Sequence, residues 1–269
     1  FFQIDPFLLQ LLQQIYSYYC YRFIHIYIYI MTSKKKILVF TATYNERDNI
    51  VTLIYSILSN CPYADILIID DNSPDKTSEK VQELQRKYKN IFLLNRKLKL
   101  GLDTAHKKAY DYAIENNYDI LITMDADLSH DPKEIKNFIY NLEKFPFVIG
   151  SRYIQGGKCL MKGRRLVFSI YGNKIIKFLL NINSHEYTSA YRGFNLNLLH
   201  GFNLNLIKTK GYSFFMGTLF EIANHGFQIK EIPIIFKDRV KGSSKIPKAE
   251  IFRTLKNLFI LFLKKKLKK

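Results

Sequence analysis

The chain has 269 residues, 48% of them hydrophobic, and it carries a formal net charge of +18. This length and apolar content predict one α/β core, with at most a small appendage. The three cysteines are isolated, which argues against a disulfide framework and a zinc site and fits a reducing compartment. The positive charge admits nucleic acid, anionic lipid or phosphorylated substrates as partners.

The first thirty residues differ from the rest, because Phe, Tyr, Ile and Leu crowd them. Arg22 and His25 interrupt a run that is already short for a membrane span, and the segment lacks the features of a signal peptide. We therefore expect the functional protein to begin at Met31, with 1–30 as a non-native or weakly structured extension. The alternative for 1–30 is a hydrophobic interfacial anchor.

Apolar and amphipathic runs alternate from Met31 onwards. Continuous apolar runs predict buried strands at 37–40, 66–69, 91–94, 120–124 and 147–149. Helical patterns follow these strands: one over 49–58, one with Pro74 in its first turn, one with Asp103 as its N-cap, and one after Pro132. This alternation predicts an α/β fold with a Rossmann-like, mostly parallel sheet flanked by helices.

Polar clusters follow four of the predicted strands, and ligands bind at this edge in such sheets. The most informative cluster holds Asp125 and Asp127, whose side chains point to the same side of an extended backbone. Two adjacent carboxylates repel each other unless a cation lies between them, and hard oxygen ligands suit Mg²⁺ or Mn²⁺. A solvated Asp-rich turn is the alternative.

Two common nucleotide-binding motifs are missing from the sequence. No G-x-G-x-x-G follows the first strand, and no G-x-x-x-x-G-K-[ST] occurs. The acidic edge instead predicts a nucleotide whose diphosphate is carried by a metal ion. Arg152, Arg192 and Arg239 each adjoin an apolar or aromatic run, so they are candidates for binding a second anion, with a solvated basic face as the alternative.

The C-terminal stretch combines apolar and basic residues. Apolar side chains recur at helical spacing between Phe252 and Leu263, and five of the last six residues are lysines. This pattern predicts a basic amphipathic helix or tail over 251–269 that lies on anionic lipid. A core-packed helix with a solvated tail is equally compatible with it.

Several motifs occur in one order along the chain: Tyr44-Asn45-Glu46-Arg47, Asp70-Asp71-Asn72-Ser73-Pro74-Asp75, Leu100-Gly101-Leu102, Met124-Asp125-Ala126-Asp127-Leu128-Ser129-His130, Gly150-Ser151-Arg152-Tyr153 and Asp238-Arg239 with Gly242, Ser244 and Lys245. Together they resemble the dolichol-phosphate (polyprenol-phosphate) mannosyltransferases, which are inverting enzymes of the GT-A class in glycosyltransferase family 2. The resemblance covers about 36–260 and implies a GT-A domain over 31–250.

The resemblance implies a role for each matching residue. The nucleotide would be bound by Thr43, Tyr44, Glu46, Asp70 and Asp71. The metal ion, Mg²⁺ or Mn²⁺, would be held by Asp125, Asp127 and Ser129. The acceptor phosphate and the departing diphosphate would be bound by Arg152, Arg165, Ser169, Arg192, Arg239 and Lys245, and the catalytic residues would be Asp127, Arg152 and Arg239.

The implied reaction is metal-dependent, inverting transfer of mannose from GDP-mannose to dolichyl or polyprenyl phosphate. We expect a peripheral protein on the cytoplasmic face of a membrane. The alternatives are a polyprenyl-phosphate glucosyltransferase or another family 2 enzyme with a different sugar nucleotide. A nucleic-acid-binding module is disfavoured, because the strand-end carboxylates would repel a phosphate backbone and no known signature is present.

The sequence departs from the family pattern at four positions. Ala42 replaces a Pro, Asp103 replaces the second Gly of Leu-Gly-Leu-Gly-Thr, and Met161 replaces a Trp. Gly217 replaces an acidic residue, although Glu221 lies one helical turn later. The changes at Asp103 and Gly217 bear on the donor sugar rather than on the type of reaction.

Overall fold

The computed structural model describes residues 35–238 and 249–267. The description below concerns the compact unit 36–269. The predictions for 1–30, Arg239 and Lys245 lie outside the described residues.

A seven-stranded sheet with the strand order β3-β2-β1-β4-β7-β5-β8 forms the centre of this unit. Its strands are β1 (Ile37–Thr43), β2 (Asp65–Asp70), β3 (Ile91–Asn95), β4 (Ile120–Asp125), β5 (Phe147–Ser151), β7 (Arg192–Asn195) and β8 (Ile229–Pro233). Two short strands, β6 (Lys158–Cys159) and β9 (Ile235–Phe236), pair separately. The five strands predicted from apolar runs are all present, and the sheet is mostly parallel, as expected.

One strand, β7, runs antiparallel between β4 and β5. Its sequence, Arg192-Gly193-Phe194-Asn195, lacks the continuous apolar run that marks the other central strands. The strand can occupy this position partly because residue 193 is glycine: a Cβ at this position would lie 2.6 Å from Leu142 Cδ1 and clash with it. The glycine therefore allows the neighbouring helix to pack directly on the strand backbone.

Helices cover both faces of the sheet. They are α1 (Arg47–Asn60), α2 (Thr77–Gln85), α3 (Leu102–Glu115), α4 (Ile135–Leu142), α5 (Arg164–Leu180), α6 (Ser213–Asn224) and α7 (Ala249–Leu267). Alternate residues of each strand enter two separate cores: Leu38 and Phe40 pack with α3 and α6, whereas Ile37 and Val39 pack with α1 and α4. Burial on both faces explains why the strands are continuously apolar.

Two predicted helix starts differ from the structure. Helix α2 begins at Thr77 rather than in the turn containing Pro74, because the Asp75 carboxylate accepts hydrogen bonds from Thr77 N and Oγ1. Helix α3 begins at Leu102, with Gly101 as N-cap at φ +92°, a conformation that favours glycine. Asp103 therefore lies inside the first turn and is not the N-cap that the pattern predicted.

Helices α5 and α7 contact each other, since Lys265 Nζ donates to the Leu180 carbonyl. Within 35–238 and 249–267, none of the helices has the length and apolar character needed to cross a bilayer.

Candidate active site

The carboxyl ends of β1, β2 and β4 open into one pocket of about 510 Å³. Parallel strands end at the same edge of a sheet, which brings together side chains that are far apart in sequence. The pocket contains most of the predicted nucleotide and metal residues: Thr43, Tyr44, Glu46, Asp71, Asp125 and Asp127. The structure thus places two predicted groups of residues in one cavity.

Asp70 and Asp71 are adjacent in sequence but have different environments. Asp70 is fully buried, and its carboxylate accepts hydrogen bonds from Thr43 Oγ1 at 2.6 Å and from Ser73 N at 2.8 Å. Asp71 lines the pocket, where Oδ1 accepts from Arg96 Nη1 and Oδ2 from Gly101 N, both at 2.8 Å. Asp70 therefore fixes the ends of β1 and β2, and Asp71 is the carboxylate that borders the cavity.

The predicted metal residues form a tight loop after β4. Asp127 Oδ1 accepts from Ser129 Oγ at 2.6 Å and from Ser129 N at 3.1 Å. Ser129 is fully buried, so in this structure it orients Asp127 from behind. Asp125 and Asp127 line the pocket itself.

These two carboxylates fit a divalent cation that is shared with a substrate. In the part of the chain that the structure describes, no group of three or more His, Cys, Asp or Glu side chains is arranged to hold a metal alone. Mg²⁺ commonly takes one or two protein carboxylates and completes its shell with substrate phosphates and water. The donor set of Asp125 and Asp127 matches that arrangement.

His130 supports the acidic loop from the protein interior. Its Nδ1 accepts from the backbone N–H of Asp125 at 3.0 Å, and its ring packs on Tyr191 and Phe236. Burial lowers the pKa of His130 to about 4, although the Asp127 charge opposes this. The imidazole is therefore neutral near pH 7.

Arg152 is held by a buried ion pair with Glu186. Its Nε and Nη2 donate to the two Glu186 oxygens at 2.6 and 2.7 Å, and Nη2 also donates to Thr188 Oγ1. Burial alone would raise the pKa of Glu186, but the Arg152 charge and its hydrogen bonds hold that pKa below its ordinary value. The pair is thus ionised and fixes the guanidinium in one orientation.

The other predicted anion-binding residues lie in contrasting environments. Arg165 is half-exposed and pairs with Asp238 at 3.2 Å, and Ser169 accepts a hydrogen bond from the Tyr153 hydroxyl at 2.6 Å. Arg192 is buried: it donates to the carbonyls of Ser189 and Tyr187, and Nη1 has no hydrogen-bond partner among the described residues. Burial lowers the pKa of Arg192 to about 9. None of Arg152, Arg165, Ser169 and Arg192 lines the strand-end pocket.

The family model for glycosyl transferase family 2 matches residues 38–201, which include β1, β4 and the acidic loop. The chain belongs to glycosyltransferase family 2. Polyprenol monophosphomannose synthase of Mycolicibacterium smegmatis is 34% identical over 220 residues, covering 81% of this chain and 83% of that protein. Undecaprenyl-phosphate mannosyltransferase of Micrococcus luteus is 31% identical over 212 residues, covering 78% and 87%.

Solved structures support the same fold. Glucosyl-3-phosphoglycerate synthase of Mycobacterium tuberculosis, in complex with Mn²⁺, uridine diphosphate and glucosyl-3-phosphoglycerate, matches with a TM-score of 0.62. The match covers 87% of this chain and 80% of that one at 15% identity. At this identity the likeness shows a GT-A-like architecture, and the seven-stranded sheet of this glycosyltransferase agrees with it.

Sequence reasoning missed several residues that complete the site of this family 2 enzyme. The pocket is also lined by Lys99, Lys210, Tyr212, Glu250 and Arg253. Lys99 Nζ lies 3.6 Å from the ring centroid of Tyr44, and Glu186 holds Arg152 from 34 residues away in sequence. Isolated charged residues in loops carry no periodic signal, so only the tertiary contacts identify them.

A second pocket of about 560 Å³ lies where α5 and α6 end, between Leu180, Phe227 and Lys265. It contains no Asp or Glu and none of the predicted site residues. The strand-end pocket is therefore the candidate active site of this glycosyltransferase.

Proposed function

We propose that this glycosyltransferase transfers mannose from GDP-mannose to a dolichyl or polyprenyl phosphate, with inversion at the anomeric carbon. The observation that carries the proposal is that Asp125 and Asp127 line the same pocket as Tyr44 and Asp71. Two relatives that match over more than three quarters of the chain are named as polyprenyl-phosphate mannosyl enzymes, which favours this donor and acceptor.

The proposed nucleotide site uses the ends of β1 and β2. Asp71 and Glu46 border the cavity and would accept hydrogen bonds from the base and ribose, and the Tyr44 ring would offer a flat contact surface. Asp70 supports them by fixing Thr43 and Ser73.

Asp125 and Asp127 would hold Mg²⁺ or Mn²⁺ against the diphosphate. When bound, such an ion neutralises charge on the diphosphate and stabilises it as a leaving group. The part played by Ser129 is to fix one Asp127 oxygen, and His130 fixes the backbone at Asp125.

The nucleophile would be an oxygen of the lipid phosphate. A phosphate monoester has a second pKa of about 6, so this oxygen is ionised near neutral pH and needs no general base. The difficulty is electrostatic, because two anions must approach one carbon. Arg152, held by Glu186, would offset that repulsion, together with Arg165, Ser169, Arg192, Arg239 and Lys245.

The environment of Arg192 gives little support to an anion-binding role, since its guanidinium is buried among backbone carbonyls. Lys237 N donates to Ser129 O at 3.1 Å, so the chain contacts the acidic loop at Lys237.

A lipid acceptor also calls for contact with a membrane, and we propose a peripheral position on its cytoplasmic face. Helices α5 and α7 expose large apolar side chains, including Phe168 at 73%, Phe178 at 83% and Phe252 at 76%. Basic residues accompany them on α5 and α7: Arg164, Arg165, Lys174, Lys177, Lys256, Lys264, Lys265 and Lys266. Apolar side chains beside cations suit the surface of an anionic bilayer.

The test is an assay of purified protein with GDP-mannose or UDP-glucose and with a polyprenyl phosphate or free phosphate. We expect transfer only from GDP-mannose to the lipid phosphate, loss of activity with EDTA, and recovery with added Mn²⁺. Transfer from UDP-glucose and not from GDP-mannose would show that the proposed donor is wrong. Activity that EDTA leaves unchanged would contradict the proposed metal dependence.

A further inference from the structure

Two buried carboxylates with no assigned role hold one wall of the strand-end pocket. The wall is the turn Lys210-Gly211-Tyr212, which precedes α6 and lines the cavity. Gly211 N donates to Asp103 Oδ1 at 3.0 Å, and Tyr212 N donates to Glu250 Oε1 at 2.9 Å. Consecutive backbone amides are thus held by carboxylates from the first turns of two helices, α3 and α7.

Both carboxylates are shielded from water. Asp103 is 7% exposed and Glu250 is 6% exposed. Burying a carboxylate is unfavourable unless it accepts charge-assisted hydrogen bonds. Glu250 has such partners in Tyr212 N and in Arg253 Nη1, which lies 2.9 Å from its second oxygen.

The close approach of Glu250 to the turn depends on glycine. Gly211 has φ +63°, a conformation that L side chains rarely adopt, and an added Cβ would collide with the Glu250 carboxylate. Helix α7 also holds the end of the turn, because Asn257 Nδ2 donates to Ser213 Oγ at 2.6 Å. The Ser213 hydroxyl in turn donates to the Lys210 carbonyl at 2.7 Å.

The same first turn of α3 reaches the opposite side of the cavity. Gly101, the N-cap of α3, donates its N–H to Asp71, and Asp103 follows two residues later. The segment 101–103 therefore links the proposed nucleotide carboxylate to the wall that Lys210 and Tyr212 contribute.

We propose that Asp103 and Glu250 are positioning residues, which fix the 210–212 turn so that Lys210 and Tyr212 line the binding site of the sugar nucleotide. The inference rests on the proposed function, because it takes the pocket to be the donor site. Asp103 acts here through Gly211, so the departure from the family's glycine shapes the pocket wall.

The test compares Asp103→Ala and Glu250→Ala with the unaltered protein. We expect the Kd for GDP or UDP with Mn²⁺, and the KM for the sugar nucleotide, to rise about tenfold, since a charge-assisted hydrogen bond is lost at the pocket wall. The KM for the lipid phosphate should stay within about twofold. A merely destabilised protein would lose active molecules and therefore kcat, without a selective change in the donor KM.

Conservative variants keep the inference testable if the alanine variants fail to fold. Asp103→Asn and Glu250→Gln retain an oxygen that can accept the amide hydrogen bond, so we expect a donor KM between those of the unaltered and alanine proteins. Glu79→Ala is the matched control, because Glu79 also lies in the first turn of a helix but pairs with Lys76 at the surface, away from the pocket lining. Its donor KM should not change.

A double-mutant cycle tests whether the two carboxylates act on one turn. In the Asp103→Ala/Glu250→Ala protein, the fold-increase in donor KM should be well below the product of the fold-increases of the two single variants. The reason is that the second substitution acts on a turn that the first has already released. Unchanged nucleotide affinity in the two alanine variants and in the double variant would overturn this inference but leave the proposed function standing. If the unaltered protein binds neither GDP nor UDP, the donor-site assignment and this inference are both wrong.

Discussion

Arg152 and Arg192 show how two arginines with similar sequence contexts acquire different chemistry. Arg152 is paired with Glu186 and lies near Tyr153 and Phe236, so its charge is compensated and oriented. Arg192 lies against Phe215 and donates to backbone carbonyls, and burial lowers its pKa. The sequence predicted anion binding for both. In the structure neither lines the strand-end pocket, and only Arg152 has a carboxylate partner among the described residues.

At the residue scale, Glu186→Gln should impair both stability and turnover. The change leaves a buried guanidinium without its counter-ion, which should lower the unfolding free energy by about 3 kcal/mol and kcat at least about tenfold. Urea unfolding and steady-state kinetics measure the two effects. Glu115→Gln, at an exposed position beside Lys108, is the control and should change neither quantity. Unaltered kcat in Glu186→Gln would exclude a role for this pair in turnover.

Asp127→Asn should lower kcat by about a hundredfold, because the amide cannot replace a carboxylate ligand for the proposed metal. The Mn²⁺ concentration needed for half-maximal activity should rise as well. The measurement is a metal titration of the transfer reaction. Asp131→Asn serves as the control, since Asp131 pairs with Lys237 and does not line the pocket. Near-normal transfer by Asp127→Asn would contradict the metal assignment.

At the scale of elements, α5 and α7 carry apolar residues beyond what their inner faces need. On α7, Leu258 and Leu261 pack into the core while Phe252 and Phe259 remain exposed. On α5, Ile176 and Leu180 are buried while Phe168, Tyr171 and Phe178 are exposed. Helices with apolar side chains on both faces need a second environment, and an exposed patch of this kind marks an interaction surface.

The proposed membrane surface predicts a specific loss of vesicle binding. Replacing Phe168, Phe178, Phe252 and Phe259 together by Ser should lower the partition coefficient on anionic vesicles at least about tenfold. Raising the salt concentration should weaken vesicle binding by the unaltered protein, because salt screens the attraction between its lysines and the anionic lipids. Co-sedimentation measures both effects. Tyr140→Ser, exposed on α4, is the control, and equal binding by the fourfold variant would reject the surface.

At the scale of the whole molecule, acid should weaken the folded state through His106. This residue is packed against Phe40, Phe214 and Phe215, and burial lowers its pKa from 6.5 to about 3. Between these two values the unfolded chain binds a proton that the native protein excludes. The stability from neutral His106 is therefore complete above pH 6.5 and declines as pH falls toward 3.

Replacing His106 by Met should reduce this pH dependence. Between pH 6 and 4, the unfolding free energy of both proteins should fall as the pH is lowered. The slope for the variant should be smaller than that for the unaltered protein by about 1.4 kcal/mol per pH unit. Urea unfolding at several pH values measures the slope, which does not depend on any constant cost of repacking. Parallel slopes for the two proteins would show that His106 is protonated in the native state.

The sheet was largely predictable because its signal is local. Five apolar runs identified five strands, and polar clusters at their ends located Asp71, Asp125 and Asp127 in the pocket. Strands β7 and β8 of the seven-stranded sheet were not predicted. The four residues of β7 combine an arginine, a glycine and an asparagine with one apolar side chain, which gives no continuous apolar run. Its position between β4 and β5 follows from packing against α4, which is a long-range contact.

The sequence by itself determined the class of fold, the acidic loop and the membership of glycosyltransferase family 2, because hydrophobic periodicity and short motifs are local properties. Tertiary structure decided how each polar group is used. Asp70 accepts a hydrogen bond from Thr43 and fixes the strand ends, whereas Asp71 borders the pocket. Arg152 is ionised beside Glu186, and Asp103 accepts a hydrogen bond from the amide of Gly211. These roles depend on burial and on partners up to 108 residues away, and neither is encoded at the position itself.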